Sequence, residues 1–277
     1  MINDTLSIRP PQQLTMDSFP LKPCQPYINW HGSKRWVIEE IMPYLPNCQR
    51  FFEPFAGSAI MSLNMLLYRK TNIAIISDAD ARLVNIHRAV RSNVEGFLST
   101  LDGALRDSQE LSNKDVHAIY KSRYYDIATG ETEKAALSCI MLTIGIYGDP
   151  NFVRTKKNIP SAIQLIYNKV YVAAPLLQQA KIYEGDFEMI DPRPGDLIYC
   201  DPPYTGTYQN KYMGRWNDDD RLINAAEGWL AKGATVVISN MADWECSLPH
   251  TTHTFTTKAS GTNFKRRQEA IFICQPS

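Results

Sequence analysis

The segment with the clearest chemical content is Asp201-Pro202-Pro203-Tyr204, which follows the apolar run Leu197-Ile198-Tyr199-Cys200. Prolines fix the backbone direction and cannot donate hydrogen bonds, so this loop presents acceptors: the Asp201 carboxylate and the Pro202 carbonyl oxygen. An exocyclic amine with two hydrogens matches such a pair. Gripping both hydrogens frees the nitrogen lone pair to attack a methyl sulfonium, and Tyr204 can stack on a base that has left the duplex. We therefore predict that the loop binds a nucleobase amine.

A second candidate site lies where a strand-like run ends in a turn of small residues. Arg50-Phe51-Phe52-Glu53 predicts a short buried strand, Ala56-Gly57-Ser58-Ala59 lets a ligand approach the backbone, and Ile60–Leu67 is expected to be helical. Asp78 closes the next strand about 20 residues after Gly57, where an acidic side chain can accept both hydroxyls of a ribose. NAD and S-adenosylmethionine both present an adenosine ribose in this way. The turn lacks the G-x-G-x-x-G spacing, which disfavours a pyrophosphate ligand.

A third segment, Trp30-His31-Gly32-Ser33-Lys34, combines an aromatic face, a turn and a cation. These groups could pack against a cofactor and hold its carboxylate. The alternative is that Trp30 lies at the edge of the core and Lys34 on the solvent face.

Strand-like runs alternate with helical spacing before and after residues 96–171, and this alternation predicts an α/β fold with a mostly parallel sheet. The strand-like runs start near Arg50, Ile73, Lys181, Asp196, Ala234 and Glu269. In such sheets, ligands bind beyond the carboxyl ends of the strands. Between residues 96 and 171 the pattern is different: helical stretches are combined with a polar, basic segment. This difference predicts an inserted lobe. Residues 1–26 contain five prolines among polar residues and are expected to form a tail.

Composition bounds the class of protein. The length and the hydrophobic content of 44% are typical of a globular protein of one or two domains. The formal net charge is zero, so any contacts with nucleic acid must come from local basic patches. The six cysteines are far apart, as expected for reduced thiols in the cytoplasm. We find no apolar run that reaches the roughly 20 residues of a membrane span and expect no membrane partner.

The order of these motifs resembles one known family. Trp30-x-Gly32-Ser33-Lys34, Glu53-Pro54-Phe55-x-Gly57-Ser58, Asp78, Gly185-Asp186-Phe187 and Asp201-Pro202-Pro203-Tyr204 occur as in the Dam-type (D12 class) adenine-N6 DNA methyltransferases, over roughly residues 27–274. The resemblance implies a seven-stranded Rossmann-like methyltransferase sheet, formed by residues 27–95 and 172–277, with a mainly helical target-recognition lobe at 96–171. It also implies S-adenosylmethionine as cofactor and a flipped-out adenine in double-stranded DNA as substrate.

The resemblance assigns roles to individual residues. The catalytic loop would be Asp201, Pro202, Pro203 and Tyr204. Cofactor contacts would come from Trp30, Lys34, Glu53, Pro54, Phe55, Gly57, Ser58, Asp78, Asp186, Phe187 and Asp201.

Two basic clusters are candidates for DNA binding, although a basic run is often a solvated face. The candidates are Arg154, Lys156 and Lys157 in the lobe, and Asn263, Lys265, Arg266 and Arg267 before the last strand. Arg154 is also a candidate for reading guanine. The stretch Thr143-Ile144-Gly145-Ile146-Tyr147-Gly148-Asp149-Pro150 departs from the Asn-Arg-x-Gly-Tyr-Asn-Gly-like stretch of family members that read GATC, so that target is not carried over. The usual Gly-Gly-Lys is Gly32-Ser33-Lys34 here, which should leave cofactor binding intact.

Several alternatives remain at this point. The loop would also accept the N4 amine of cytosine, the chain could be a catalytically silent DNA-binding protein, and an NAD-dependent oxidoreductase is disfavoured by its glycine spacing. Cys200 is expected to be a core thiol and not a nucleophile, and His250-x-x-His253 is not expected to bind metal. A cognate restriction enzyme is a possible partner.

Overall fold

The computed structural model describes residues 22–146, 149–153, 158–204, 216–258 and 266–276. Most of the predicted tail lies outside these ranges. So do several residues predicted to contact DNA, namely Arg154, Lys156, Lys157, Asn263 and Lys265. Their roles stay predictions.

The described residues contain strands and helices in alternation. The strands are β1 (Phe51–Glu53), β2 (Ala74–Asp78), β3 (Gly145–Ile146), β4 (Asp149–Val153), β5 (Ala180–Glu184), β6 (Leu197–Cys200), β7 (Thr235–Met241), β8 (Thr251–Lys258) and β9 (Arg266–Cys274). The α-helices are α1 (Ile38–Ile41), α2 (Ile60–Leu67), α3 (Ala81–Ser92), α4 (Val94–Glu110), α5 (Asn113–Tyr125), α6 (Glu131–Ile144), α7 (Ile159–Leu177) and α8 (Asp219–Ala231). Short 3-10 helices occur at Lys34–Trp36, Met42–Tyr44 and Phe187–Met189.

Seven strands form one sheet in the order β5-β2-β1-β6-β7-β9-β8. Neighbours from β5 to β7 are parallel, whereas β9 is antiparallel to both β7 and β8. The predicted α/β fold with a mostly parallel, seven-stranded sheet is therefore confirmed. From β1 the chain continues to β2 and β5 on one side and later to β6 and β7 on the other. This reversal opens a crevice beyond the carboxyl ends of β1 and β6, where such sheets bind ligands.

Strand β6 shows why the centre of the sheet was predictable. All four of its residues are buried, since the strand is covered on both faces. Leu197 and Tyr199 pack in one hydrophobic cluster with helices α1 and α2, whereas Ile198 and Cys200 pack in another with α8. The expectation that Cys200 lies in the core is confirmed.

Two β elements carried no apolar run and were not predicted. Strand β8 lies at the sheet edge, and Phe255 is its one buried residue among those whose side chains are described. An edge strand needs fewer apolar residues because one side of it faces solvent. The antiparallel pair β3 and β4 forms a hairpin between α6 and α7. The described residues of the stretch 143–150, which departs from the GATC-reading members, lie at the end of α6 and in these two strands.

Helices α4 to α7 and the β3–β4 hairpin make up the region predicted as an inserted lobe. Helix α6 is at its centre, with every side chain from residue 135 to 144 buried. This core is continuous with that of α2 and α3. The division at 96 and 171 remains a prediction, and α4 and α7 extend beyond those numbers. None of the helices in the described ranges has the length and apolarity needed to cross a bilayer.

Candidate active site

Asp201 lies one residue beyond β6, at the crevice. Both of its carboxylate oxygens accept hydrogen bonds from the Lys34 ammonium, at 2.7 and 2.8 Å. Oδ1 also lies 3.2 Å from the Tyr204 hydroxyl. The side chain is 19% exposed, so Asp201 is shielded by the protein but still within reach of a ligand.

Lys34 begins the first 3-10 helix and is buried. The alternative position of Lys34 on the solvent face is therefore wrong. The ammonium also lies 2.9 Å from the Tyr204 hydroxyl and 3.3 Å from the Gly32 carbonyl oxygen. Burial by itself lowers the pKa of Lys34, but the charge of Asp201 and other nearby groups outweighs it and holds the pKa above its usual value. Lys34 is therefore a fixed cation. In this structure its donors point at Asp201, and its role as a cofactor contact stays a prediction.

The protonation state of Asp201 follows from opposing effects. Burial raises the pKa of Asp201, the neighbouring Lys34 lowers it, and the charge of Glu269 raises it again. The net direction is upward. The ionised carboxylate is the stronger acceptor and has no donor hydrogen, so Lys34 supports the form that suits an amine against the effect of burial.

Tyr204 contributes its hydroxyl to the same cluster. The hydroxyl lies 3.1 Å from Ser239 Oγ and 3.2 Å from Glu269 Oε2, in addition to its contacts with Lys34 and Asp201. Between Asp201 and Tyr204, Pro202 is buried and Pro203 is exposed. The predicted stacking of the Tyr204 ring on a base remains a prediction.

Ser239 and Glu269 were missed as site residues. Ser239 belongs to β7 and Glu269 to β9, and each lies far along the chain from Asp201. The only signal for Glu269 was a carboxylate at the start of the apolar run Glu269-Ala270-Ile271-Phe272-Ile273. Sheet order brings them to the site, since β7 lies beside β6 and β9 lies beside β7.

The turn after β1 forms the second half of the crevice. Glu53 is buried, and its carboxylate accepts from the backbone N–H of Met61 at 3.3 Å and of Ser62 at 2.8 Å, so it caps α2 from below. Burial raises the pKa of Glu53 to about 7. Gly57 has φ +49°, and a Cβ there would lie 2.6 Å from Trp30 Cδ1. The contact of Trp30 with the predicted turn explains why glycine is needed.

A buried histidine, which was not predicted as a site residue, supports this turn. His87 of α3 lies 3.0 Å from the Gly57 carbonyl oxygen through Nε2 and 2.5 Å from the Tyr27 hydroxyl through Nδ1. Because a carbonyl only accepts, Nε2 carries the hydrogen and Nδ1 accepts from Tyr27. Burial lowers the pKa of His87 to about 4, which keeps the ring neutral.

Asp78 ends β2 beside this turn, as predicted. Its Oδ2 accepts from the Gly57 N–H at 2.8 Å and its Oδ1 accepts from the Asp80 N–H at 2.9 Å. A carboxylate offers about four acceptor positions, so Asp78 retains acceptor capacity beyond these backbone N–H groups. Burial raises the pKa of Asp78 to about 6.

Asp186 and Phe187 follow β5, the next strand outward. Asp186 accepts from the Glu188 N–H at 3.0 Å and from Arg221 Nη2 at 3.1 Å. The Phe187 ring is buried and lies 5.3 Å, centroid to centroid, from the Phe55 ring. Apart from Trp30, Lys34 and Asp201, the predicted cofactor residues thus occur at the carboxyl ends of β1, β2 and β5, which are neighbours in the sheet. Ser58 is linked to the first segment through Ser33, at 3.0 Å between the hydroxyl oxygens.

The remaining sequence candidates lie elsewhere. Arg267 is exposed on β9, opposite Thr257 of β8. His250 binds the Leu248 carbonyl oxygen at 2.6 Å, whereas His253 stacks on Tyr44. Within the described ranges, we find no cluster of three or more His, Cys, Asp or Glu side chains suited to a metal ion.

Comparison of the sequence with known proteins identifies relatives of this chain. Residues 30–269 match the family described as D12 class N6 adenine-specific DNA methyltransferase. The retron Ec67 DNA adenine methylase of Escherichia coli is 26% identical over 230 residues, which cover 77% of this chain and 76% of that protein. The DNA adenine methylase of Escherichia coli strain K12 is 22% identical over 240 residues, covering 79% and 82%. The DNA N-6-adenine-methyltransferase of Escherichia phage P1 is 23% identical over 231 residues, covering 76% and 29%.

Proposed function

Because the chain belongs to the D12 class N6 adenine-specific DNA methyltransferase family, we propose that residues 201–204 hold the target adenine while its N6 is methylated. The enzyme uses S-adenosylmethionine and acts on DNA. Adenine specificity of the family resolves the choice between adenine N6 and cytosine N4 that the loop alone left open. It also argues against a silent DNA-binding protein and an oxidoreductase.

The observation that carries the proposal is the acceptor capacity of Asp201. Among the described residues, Oδ1 is engaged by Lys34 and Tyr204, whereas Oδ2 is engaged by Lys34 alone. Oδ2 therefore keeps a lone pair for one N6 hydrogen, and the Pro202 carbonyl would take the other. The N6 lone pair is then released from the ring. As positive charge develops on N6, the Asp201 carboxylate stabilises it at short range, and the proton that N6 loses would leave through this hydrogen bond.

The residues at the ends of β1, β2 and β5 fit the cofactor. Asp78 would accept from the ribose hydroxyls through its remaining acceptor capacity, and Gly57 allows close approach to the turn. Trp30, Pro54, Phe55, Ser58, Asp186 and Phe187 would form the rest of the surface, with Glu53 holding the turn from below. When bound, S-adenosylmethionine supplies an electrophilic methyl group on a sulfonium sulfur. The chain itself supplies orientation and the acceptors around the amine.

The lobe at 96–171 would recognise double-stranded DNA, with the basic segment after β4 as a candidate reader. Arg154, Lys156 and Lys157 would act there, and Asn263, Lys265, Arg266 and Arg267 would meet phosphates beside β9. We also propose a cytoplasmic location, given the six free cysteines. A restriction enzyme for the same target is a further proposal, which digestion of DNA before and after methylation would test.

The catalytic role of Asp201 is tested by Asp201→Ala. We expect methyl transfer from radiolabelled S-adenosylmethionine to unmethylated plasmid to fall at least about 100-fold, because the amine loses its charged acceptor. The matched control is Asp191→Ala, since Asp191 is 83% exposed and pairs with Lys232 on the surface. Long-read mapping of the product should report N6-methyladenine at a defined sequence.

Stability must be measured alongside, because Asp201→Ala leaves the buried Lys34 with Glu269, at 3.6 Å, as its carboxylate partner among the described residues. Removing one partner of a buried ion pair costs about 3–5 kcal/mol. Asp201→Asn preserves the shape of the side chain and serves as a second variant. Wild-type turnover by folded Asp201→Asn would contradict the proposed role.

A further inference from the structure

Glu269 is a second carboxylate in the active-site cluster that the methyl-transfer geometry above does not use. Its Oε2 lies 3.2 Å from the Tyr204 hydroxyl and 3.6 Å from the Lys34 ammonium. Its Oε1 accepts from Thr257 Oγ1 at 2.8 Å. The side chain is only 14% exposed, so strands β8 and β9 hold it in place.

The Tyr204 hydroxyl has a single hydrogen and two carboxylate acceptors at the same distance. Asp201 Oδ1 and Glu269 Oε2 each lie 3.2 Å from the hydroxyl oxygen. Lys34 and Ser239 also lie within hydrogen-bond distance. When the hydrogen points to Asp201, it engages Oδ1 and withdraws negative charge from the carboxylate that receives the target amine at Oδ2. When it points to Glu269, the Asp201 carboxylate keeps more of its charge for the amine.

The charges around Lys34 also indicate a role for Glu269. One ammonium, from Lys34, faces two carboxylates, from Asp201 and Glu269. If Asp201 were the sole carboxylate partner of Lys34, the positive charge of the ammonium would act entirely on the oxygens that must receive the amine. A second carboxylate shares the attraction for Lys34 and leaves more negative potential on Asp201.

We propose that Glu269 is a positioning residue for methyl transfer: it takes the Tyr204 hydrogen and shares Lys34, so that the Asp201 carboxylate keeps more negative charge for the adenine amine. This inference rests on the proposed role of Asp201. Glu269 acts through Tyr204 and Lys34, and Thr257 keeps its other oxygen engaged. The residue therefore lies outside the loop but controls the acceptor capacity of the loop.

The first test is Glu269→Gln, which keeps the size of the side chain and removes its charge. The single-turnover rate of methyl transfer should fall roughly tenfold or more, because Asp201 then competes less well for the amine. Calorimetric affinity for S-adenosylmethionine should stay within about twofold, since the cofactor edge at β1, β2 and β5 is unchanged. Fluorescence of 2-aminopurine at the target position should still rise on binding, which reports that the base is extruded.

A pH profile separates positioning from a merely structural role. Among the described residues, the charged and titratable groups that interact with Asp201 are Lys34, Tyr204, Tyr199, Cys200, Glu53 and Glu269. Because the Glu269 charge raises the pKa of Asp201, Glu269→Gln should move the acid limb of the rate profile to lower pH. Thr257→Val removes the bond that holds Glu269 but no charge, so it should slow the reaction less and leave the limb in place.

Glu227→Gln is the matched control, because it removes a carboxylate that is exposed on α8. A Glu269→Gln rate within twofold of wild type would overturn the inference. An unmoved acid limb, or a rate loss matched by weaker cofactor binding, would overturn it as well. Failure of the proposed function has a different signature, namely wild-type turnover by Asp201→Asn.

Discussion

Asp78 is the residue whose titration should be visible in cofactor binding. Burial raises its pKa to about 6, so it is ionised above that pH and protonated below it. Only the ionised form can accept both ribose hydroxyls, because a protonated oxygen becomes a donor. We expect affinity for S-adenosylmethionine to be flat at high pH and to weaken as the pH falls through 6.

Isothermal titration at several pH values checks this expectation. Asp78→Asn should bind about tenfold more weakly at neutral pH, the effect of losing one hydrogen bond to a charged group, and its affinity should no longer change near pH 6. Asp191→Asn is a control on an exposed carboxylate. If Asp78→Asn kept the wild-type pH dependence, Asp78 would not be the titrating group.

Residues at strand ends were found from the sequence, whereas their partners were not. Asp78 and Asp201 each follow an apolar strand, which is a local signal. Glu269, Ser239 and His87 have no such signal, because their roles depend on which strand or helix lies beside them. His87 shows this most clearly, since it is one polar residue in the amphipathic pattern of α3 and its function appears only in its contact with Gly57.

At the scale of elements, the β1–α2 turn is held from several directions. Asp78 binds its N–H, His87 binds its carbonyl, and Trp30 covers the place where a side chain would be. Glu53 caps the helix that follows. A turn fixed in this way offers a rigid surface to the cofactor, which reduces the entropy cost of binding.

Gly57→Ala should disturb this element. A Cβ would lie 2.6 Å from the Trp30 ring, and the left-handed φ of +49° costs a non-glycine residue about 1 kcal/mol. We expect a lower Tm by a few degrees and a loss of cofactor affinity of about tenfold or more. Thermal melts with and without S-adenosylmethionine measure both effects.

Gly228→Ala is the control for Gly57→Ala. Gly228 lies in α8, and a Cβ there meets nothing within 4 Å. Alanine favours a helix over glycine by about 1 kcal/mol, so this variant should keep its cofactor affinity and gain slightly in Tm. Equal behaviour of the two variants would refute the special role of the turn.

The elements themselves were predicted with uneven success. Helix α2 has the predicted bounds, and the apolar runs gave six of the sheet strands. Strand β8 and the β3–β4 hairpin were missed because they have no continuous apolar face. Their positions come from pairing with β9 and with each other, which is a long-range effect.

At the scale of the whole molecule, the absence of net charge means that DNA must be met locally. Neutralising Arg266 and Arg267 as Gln should lower DNA affinity and flatten its dependence on salt, because fewer counterions are released. For two phosphate contacts the slope of log affinity against log salt should fall by about 2. Fluorescence anisotropy across a salt series provides the measurement.

The control for this pair is Lys181→Gln together with Arg193→Gln, which removes the same charge from two exposed positions outside residues 96–171. A slope that is unchanged in the Arg266 and Arg267 variant would remove these residues from the DNA interface. A similar reduction in the control would instead indicate a general effect of charge.

The sequence by itself determined the class of fold, the order of the motifs and the two strand-end carboxylates, because apolar periodicity and short motifs are local properties of the chain. The tertiary structure decided which side chains meet Asp201. The cluster around Asp201 comes from segments far apart in the chain. The sheet order β1-β6-β7-β9 brings Ser239 and Glu269 to it, and the first 3-10 helix contributes Lys34. Pairing of distant strands depends on the packing of the whole core, so the charge balance at the acceptor loop cannot be derived from the segment Asp201-Pro202-Pro203-Tyr204 alone.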